Sequence, residues 1–220
     1  MIKTSKLVVQ FKSQDIEFHP IVINKGKITF IKGRNGSGKT TILKAISNLI
    51  AYKGTIECPY ATTYLSQEPL LFNMSVLDNI LYPLRIRKIE PNIQVIEEYA
   101  ALLNIYKLLP KSAKELSSGE KMKVSILRSI MFYPEFVFLD EPTTHLDMES
   151  IDELIKLIMK GKDKKDLTIN VKSYGGAVNE LFIAMDLVRK YYIRVHVMGY
   201  AMSAGFYLMC AAKKRSMEPT

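Results

Sequence analysis

Eight residues limit what this chain can become more than any others: Gly33-Arg34-Asn35-Gly36-Ser37-Gly38-Lys39-Thr40, a G-x-x-x-x-G-K-[ST] run. Residues 28–32 ahead of it are β-rich, and Ile42, Leu43, Ala45, Ile46, Leu49 and Ile50 follow at helical spacing. Strand, glycine loop and helix together form a phosphate cradle. Glycines let backbone N–H groups turn inward around an anion, where side chains would block the approach. The helix behind adds its unpaired N–H groups and the positive end of its dipole. In such a loop Lys39 reaches the β- and γ-phosphates, the Thr40 hydroxyl meets Mg²⁺, and Thr41 continues the contact surface. The flanking elements argue against the alternative of a tight turn with an incidental lysine. An α/β fold of the P-loop type is expected.

The rest of the composition narrows the setting. Hydrophobic residues make up 48% and charged residues 24%, the balance of a globular protein with a real core. No apolar run is long enough to span a bilayer as a helix, and the opening Met1-Ile2-Lys3-Thr4-Ser5-Lys6 lacks a secretion signal's apolar core. Two distant cysteines, Cys58 and Cys210, point to a reducing compartment rather than a disulfide framework. A net charge of +9 invites a nucleic-acid reading, but the lysines are scattered. The densest run, residues 160–165, includes Asp163 and reads as a solvated connection, so no nucleic-acid partner is expected.

Strands are expected over residues 7–11, 16–23 and 28–32, with a turn at Lys25-Gly26. Residues 54–58 and 61–65 read as strands around Pro59. A helical insert follows over residues 70–133. Ser75 with Asp78 marks one helix start, Pro91 suits the first turn of a second, and a third begins near Ser118 and stops ahead of Pro134. Phe136-Val137-Phe138-Leu139 is an unbroken apolar run, expected as a strand buried on both faces of a parallel sheet. It delivers Asp140 and Glu141 to the strand end where open α/β sheets bind ligands. There Asp140 would hold Mg²⁺, and Glu141 would act as the general base toward water.

With these residues in place, the chain from about residue 5 to 160 resembles the nucleotide-binding domain of ABC ATPases. Five motifs occur in family order: the phosphate loop, Gln67 as the Q-loop glutamine, Leu116-Ser117-Ser118-Gly119-Glu120 as the signature, Asp140-Glu141, and Thr144-His145-Leu146-Asp147 as the D-loop. The signature departs from the usual Leu-Ser-Gly-Gly-Gln at Ser118 and Glu120 but keeps Ser117 and Gly119, which the resemblance implies touch the γ-phosphate. It also implies adenine stacking on Phe11, which otherwise reads as a packing aromatic, Mg²⁺ and nucleotide contacts at Gln67, and a nucleotide contact at Asp147. Two such domains, in a homodimer or heterodimer, would sandwich ATP between one phosphate loop and the other signature. A membrane permease subunit would read the closure through the helical insert and Q-loop, placing the chain in the cytoplasm on the inner face of the membrane.

One position breaks the pattern. The strand after the D-loop should end in a switch histidine that contacts the γ-phosphate, but Lys172 and Ser173 stand there. From Thr168 the chain is similar instead to the middle of a Clp-type serine peptidase subunit, of the Clp/crotonase fold. That likeness rests on residues 169–176, on Gly199-Tyr200-Ala201-Met202-Ser203-Ala204-Gly205 and on residues 214–219. It implies an oxyanion donor at Gly175-Gly176 and a nucleophile at Ser203. Neither histidine nor aspartate occurs in residues 204–220, so the triad is not completed in family order; turns and a packed helix are the favoured reading. The expected organisation is an ABC-type ATP-binding domain over residues 1–160 and a Clp-like βαβα fragment over residues 161–220. Its strands would lie at 167–171 and 193–198, its helices at 178–190 and 203–212. ATP binding with weakened hydrolysis is the expected function. The alternative is a composite or truncated chain that binds ATP without efficient turnover.

Overall fold

The computed structural model describes residues 1–25, 28–31, 36–141, 149, 150, 153, 157, 168–173, 194–201 and 215–217. The chain forms two compact units, Met1–Cys58 with Lys162–Thr220, and Pro59–Gly161. The chain leaves the first unit for the second after Cys58 and returns to it at Lys162.

The first unit opens with β1 (Ile2–Thr4), β2 (Leu7–Gln10) and β3 (Asp15–Phe18). A backbone bond from the Phe11 N–H to the Gln14 carbonyl closes the turn between β2 and β3. These two strands pair antiparallel, Leu7 opposite Phe18 and Gln10 opposite Asp15. The strand expected over 16–23 is divided, because Pro20 has no N–H to give a ladder. Past it the Ile21 N–H donates to the Thr4 hydroxyl, and β4 (Val22–Ile23) begins. β1, which the sequence reading passed over, pairs antiparallel with β4 and with β6 (Ile56–Glu57). Between them lie β5 (Ile28–Ile31) and α1 (Lys39–Ile46).

α1 is shorter than the apolar spacing predicted. Asn48 takes a left-handed conformation at φ 56°, and the Leu49 N–H folds back onto the Lys44 carbonyl. That closing motif ends the helix and leaves Leu49 57% exposed instead of on the buried face.

The second unit starts with β7 (Thr62–Leu65) and proceeds to α2 (Val76–Ile86), α3 (Ile93–Leu102), α4 (Ser118–Ile130) and β8 (Phe136–Leu139). Each helix has a side-chain cap. Ser75 accepts from the Asp78 N–H, Asn92 from Val95 and Ser117 from Glu120. Pro91 therefore stands before the α3 cap, not within the first turn. The three helices close on one core in which Ile80, Ile96, Leu103, Ile105, Met122 and Leu127 are wholly buried. Each contributes roughly 1.5–3 kcal/mol relative to exposure.

β8 differs from its expectation. Phe136 and Phe138 are buried, but Val137 between them is 36% exposed. The apolar run fills one face and leaves the other partly open, and β8 pairs with β7 in a two-stranded parallel sheet.

The tail supplies β9 (Thr168–Ser173), β10 (Arg194–Ala201) and β11 (Arg215–Met217). These run parallel in the order β11-β10-β9-β5, with Ile28 opposite Ile169 and Ile31 opposite Lys172. The helices expected at 178–190 and 203–212 lie outside the described residues.

Candidate nucleotide-binding site

In the first unit the two described glycines of the phosphate loop adopt a left-handed geometry that other residues rarely take. Gly36 lies at φ +79° and Gly38 at φ +88°. A Cβ on Gly38 would also stand 3.0 Å from the Phe18 ring and 3.3 Å from Ile16. Ile16 and Phe18 share one face of β3, so this strand braces the loop from outside. Their alternation with Asp15 and Glu17 was the available signal, although the sequence reading gave them no such role.

Gly38 is also the N-cap of α1. No side-chain oxygen closes that helix start, and no acid sits in its first turn. A phosphate placed there would meet the positive end of the helix. Lys39 and Thr41 are half-buried there, while Ser37 and Thr40 are exposed. Phe11 follows β2 immediately and is 47% exposed, an aromatic face open to a stacking partner. Gly33, Arg34 and Asn35 lie outside the described residues.

In the second unit, parallel pairing does the assembling. Leu65 lies opposite Leu139, so the chain leaves β7 and β8 at the same end. The residues that emerge meet directly: the Asp140 N–H donates to the Leu65 carbonyl at 2.9 Å, and Gln67 Nε2 donates to Glu141 Oε2 at 3.2 Å. Asp140 is only 5% exposed, and its Oδ2 accepts the Tyr64 hydroxyl at 2.9 Å. Burial raises the Tyr64 phenol well above its ordinary pKa, and the neighbouring Asp140 carboxylate adds to the shift. Glu141 is exposed and adopts φ 47°, a left-handed conformation that costs a non-glycine residue free energy. Backbone strain of this kind clusters at functional sites.

The signature segment forms the start of α4. Leu116 is buried, Ser117 is exposed as the cap, and Gly119 lies in the first turn. Ser117 and Glu120 close a reciprocal box: the Glu120 N–H donates to Ser117 Oγ at 3.3 Å, and the Ser117 N–H donates to Glu120 Oε2 at 2.7 Å. Those bonds to Ser117 hold the Glu120 carboxyl below the usual carboxylate range. Further along α4, Arg128 donates to the Leu70 carbonyl at 2.6 Å, just past Gln67, and burial depresses its pKa. Lys123 reaches Glu153 at 2.7 Å, and Asn104 bonds the other oxygen of that carboxylate. Asp147 and the rest of the D-loop lie outside the described residues, as do Gly175, Gly176 and Ser203.

Among the described residues no three histidine, cysteine, aspartate or glutamate side chains gather into a metal cage. Mg²⁺ that arrives with a nucleotide needs no such cage. It keeps several waters and takes one or two protein oxygens beside the phosphates. Buried Asp140, with one oxygen engaged by Tyr64, suits that demand. So does Gln67, which uses its nitrogen toward Glu141 and leaves its amide oxygen for a cation.

The ABC transporter family profile matches residues 19–144. A Clp protease profile matches residues 118–219, a span that begins inside the first match and takes in α4 and β8. The tungstate uptake system ATP-binding protein TupC of Peptoclostridium acidaminophilum is 34% identical over 70% of this chain and 77% of its own length. The molybdate/tungstate import ATP-binding protein WtpC of Thermococcus kodakarensis is 32% identical over 74% of this chain, which spans only 53% of that protein. Among solved structures, an ATP-binding subunit of an ABC transporter superposes with a TM-score of 0.67 at 19% identity, covering 87% of this chain and 82% of its own. That likeness carries the fold. No helix among the described residues is long and apolar enough to cross a membrane. Together with the glycine-only turn ahead of α1 and the joined ends of β7 and β8, these likenesses place the chain: it belongs to the ABC transporter family, as one of its ATP-binding subunits.

Proposed function

We propose that this chain binds ATP with Mg²⁺ as one of two facing ATP-binding domains, in a homodimer or heterodimer, and drives a membrane permease from the cytoplasmic face. Residues 33–41 would cradle the phosphates, with Lys39 on the β- and γ-phosphates. Thr40, Gln67 and Asp140 would hold Mg²⁺, and the bound ion would neutralise phosphate charge. Phe11 would stack on the base, and Asp147 would complete the nucleotide contacts. Ser117 and Gly119 would bind the γ-phosphate held by the facing domain. Glu141 would accept the proton of the attacking water. The observation that carries this reading is the shared end of β7 and β8, where the Gln67 amide already bonds the Glu141 carboxylate.

Permease contact has support in the segment after Gln67. Leu70 is 83% exposed, and the partly exposed Phe72 and Tyr82 rings pack at a tilt near it, their centroids 4.4 Å apart. An apolar strip of this kind is what an amphipathic permease helix would cover. Cargo choice belongs to the permease, since relatives of this chain are named for molybdate/tungstate import, iron export and methionine import alike.

Turnover should be slow. β9 lies beside β5 with Lys172 opposite Ile31, so the strand next to the phosphate-loop strand ends in lysine and serine where a histidine is expected. A lysine supplies charge without the shape or proton chemistry of imidazole. Loss of one positioned catalytic group lowers turnover by ~10²-fold or more. The division at residue 160 is read as one of sequence type, since β9 of the tail pairs with β5 of the ATP-binding part. The Clp protease match takes in α4 and β8 of the ATP-binding part as well as the tail, so it does not mark the tail off as a separate peptidase segment.

Calorimetry with ATP and Mg²⁺ tests the assignment. Lys39→Ala should weaken binding by ~1.5–3 kcal/mol or more, the worth of a charge-assisted contact. Wild-type affinity in that variant would overturn the phosphate-loop assignment.

A further inference from the structure

Tyr64 has no part in the chemistry described so far, yet it makes the side-chain contact to the most buried acid of the site. Its ring projects from β7 opposite Phe138 of β8. Asp140 lies two residues beyond Phe138 and so on the same face, diagonal to Tyr64. A diagonal neighbour across paired strands is too far for a short side chain and within reach of a tyrosine. The hydroxyl spans the gap and donates to Asp140 Oδ2 at 2.9 Å. The backbone on either side is pinned as well, by the Asp140 N–H bond to the Leu65 carbonyl. With only 5% of Asp140 exposed, water cannot set the carboxylate's rotation. The phenol sets it.

We propose that Tyr64 is a positioning residue for the nucleotide-bound Mg²⁺: its hydroxyl occupies one oxygen of Asp140 and so presents the other, singly and in a fixed direction, to the cation. The proposal rests on the reading of Asp140 as the magnesium acid. A phenylalanine would fill the same space and leave the carboxylate free to turn, offering either oxygen in no fixed direction. Groups that orient a metal-binding side chain commonly govern metal affinity by tenfold or more.

The test is the ATP affinity of the full chain, measured by calorimetry once with Mg²⁺ and once with EDTA. The ratio of the two affinities isolates the metal-dependent part. Tyr64→Phe should lower that ratio about tenfold while leaving the affinity in EDTA unchanged. Asp140→Asn should abolish the metal dependence, and the double variant should behave as Asp140→Asn alone. That double variant also removes the buried charge which Tyr64→Phe leaves without a partner, so a denaturation midpoint it restores assigns any fold loss in the single variant to that charge rather than to packing. An unchanged ratio in Tyr64→Phe, with Asp140→Asn impaired, would show that the hydroxyl merely satisfies a buried carboxylate and would overturn the proposal alone. Equal losses with and without Mg²⁺ would overturn it too, as a packing effect. Retained metal dependence in Asp140→Asn would overturn the magnesium reading and the proposal together.

Discussion

At Gly38 two independent constraints fall on one residue. Its φ of +88° strains ordinary side chains by backbone sterics, and the Phe18 ring, 3.0 Å from where a Cβ would stand, crowds them. Gly38→Ala should therefore cost ~1–3 kcal/mol of strain, read as a lower denaturation midpoint, and should weaken ATP binding in the same preparation. A midpoint equal to wild type would mean that the loop relaxes freely. Glu141 makes a different prediction. Glutamine at that position keeps a hydrogen-bonding partner for Gln67 but cannot take a proton. Glu141→Gln should retain ATP while phosphate release falls ~10²–10⁴-fold, as a single-turnover assay would record. At this scale much of the site was legible, since glycines, a lysine and paired acids are typed by their chemistry. Tyr64 and Phe18 were not, because an aromatic in a strand looks the same whether it packs, braces a loop or aims a carboxylate.

The starts of α2 and α4 were legible in the sequence, the Asn92 cap of α3 was not, and helix ends and strand faces were less so. Ser75 with Asp78 announces its cap through local chemistry, whereas α1 ends on Asn48 by a backbone conformation that apolar spacing does not encode. Val137 likewise looked buried because periodicity cannot say how many faces a sheet will have covered. The caps carry consequences for stability. Ser117→Ala should cost about 1 kcal/mol in a denaturant titration. Asp78 and Glu120 both have carboxyl groups held below their ordinary range, by bonds to Ser75 and Arg85 and by bonds to Ser117 respectively. Their stabilisation is present above the unfolded carboxylate pKa and is lost as pH falls through the lowered folded values. Acid melting curves should show this loss, and Glu120→Gln should reduce it. At the buried pair, Lys123→Met leaves Glu153 with Asn104 as a neutral partner and should destabilise the second unit by ~3–5 kcal/mol.

For the whole molecule, the tail matters through β9. It pairs with β5, the strand that leads into the phosphate loop, so a chain ending at residue 161 would leave that edge without its neighbour. Such a truncation should aggregate, and sedimentation would show it; a stable monomer with full ATP affinity would mean that β9 is dispensable. The sequence located β9 and β10 but not β11, and could not say which of them would join β5, since register is settled in space. The box between Ser117 and Glu120 has its own consequence at this scale. In the proposed facing pair, the turn that would receive the other domain's nucleotide is already ordered in the lone subunit. Closure of that pair would then lose little chain entropy at that turn, leaving more of the γ-phosphate contact energy to hold the two domains together. What limits the encounter is orientation of two finished surfaces, so closing should follow the pace of rigid docking rather than that of folding upon contact.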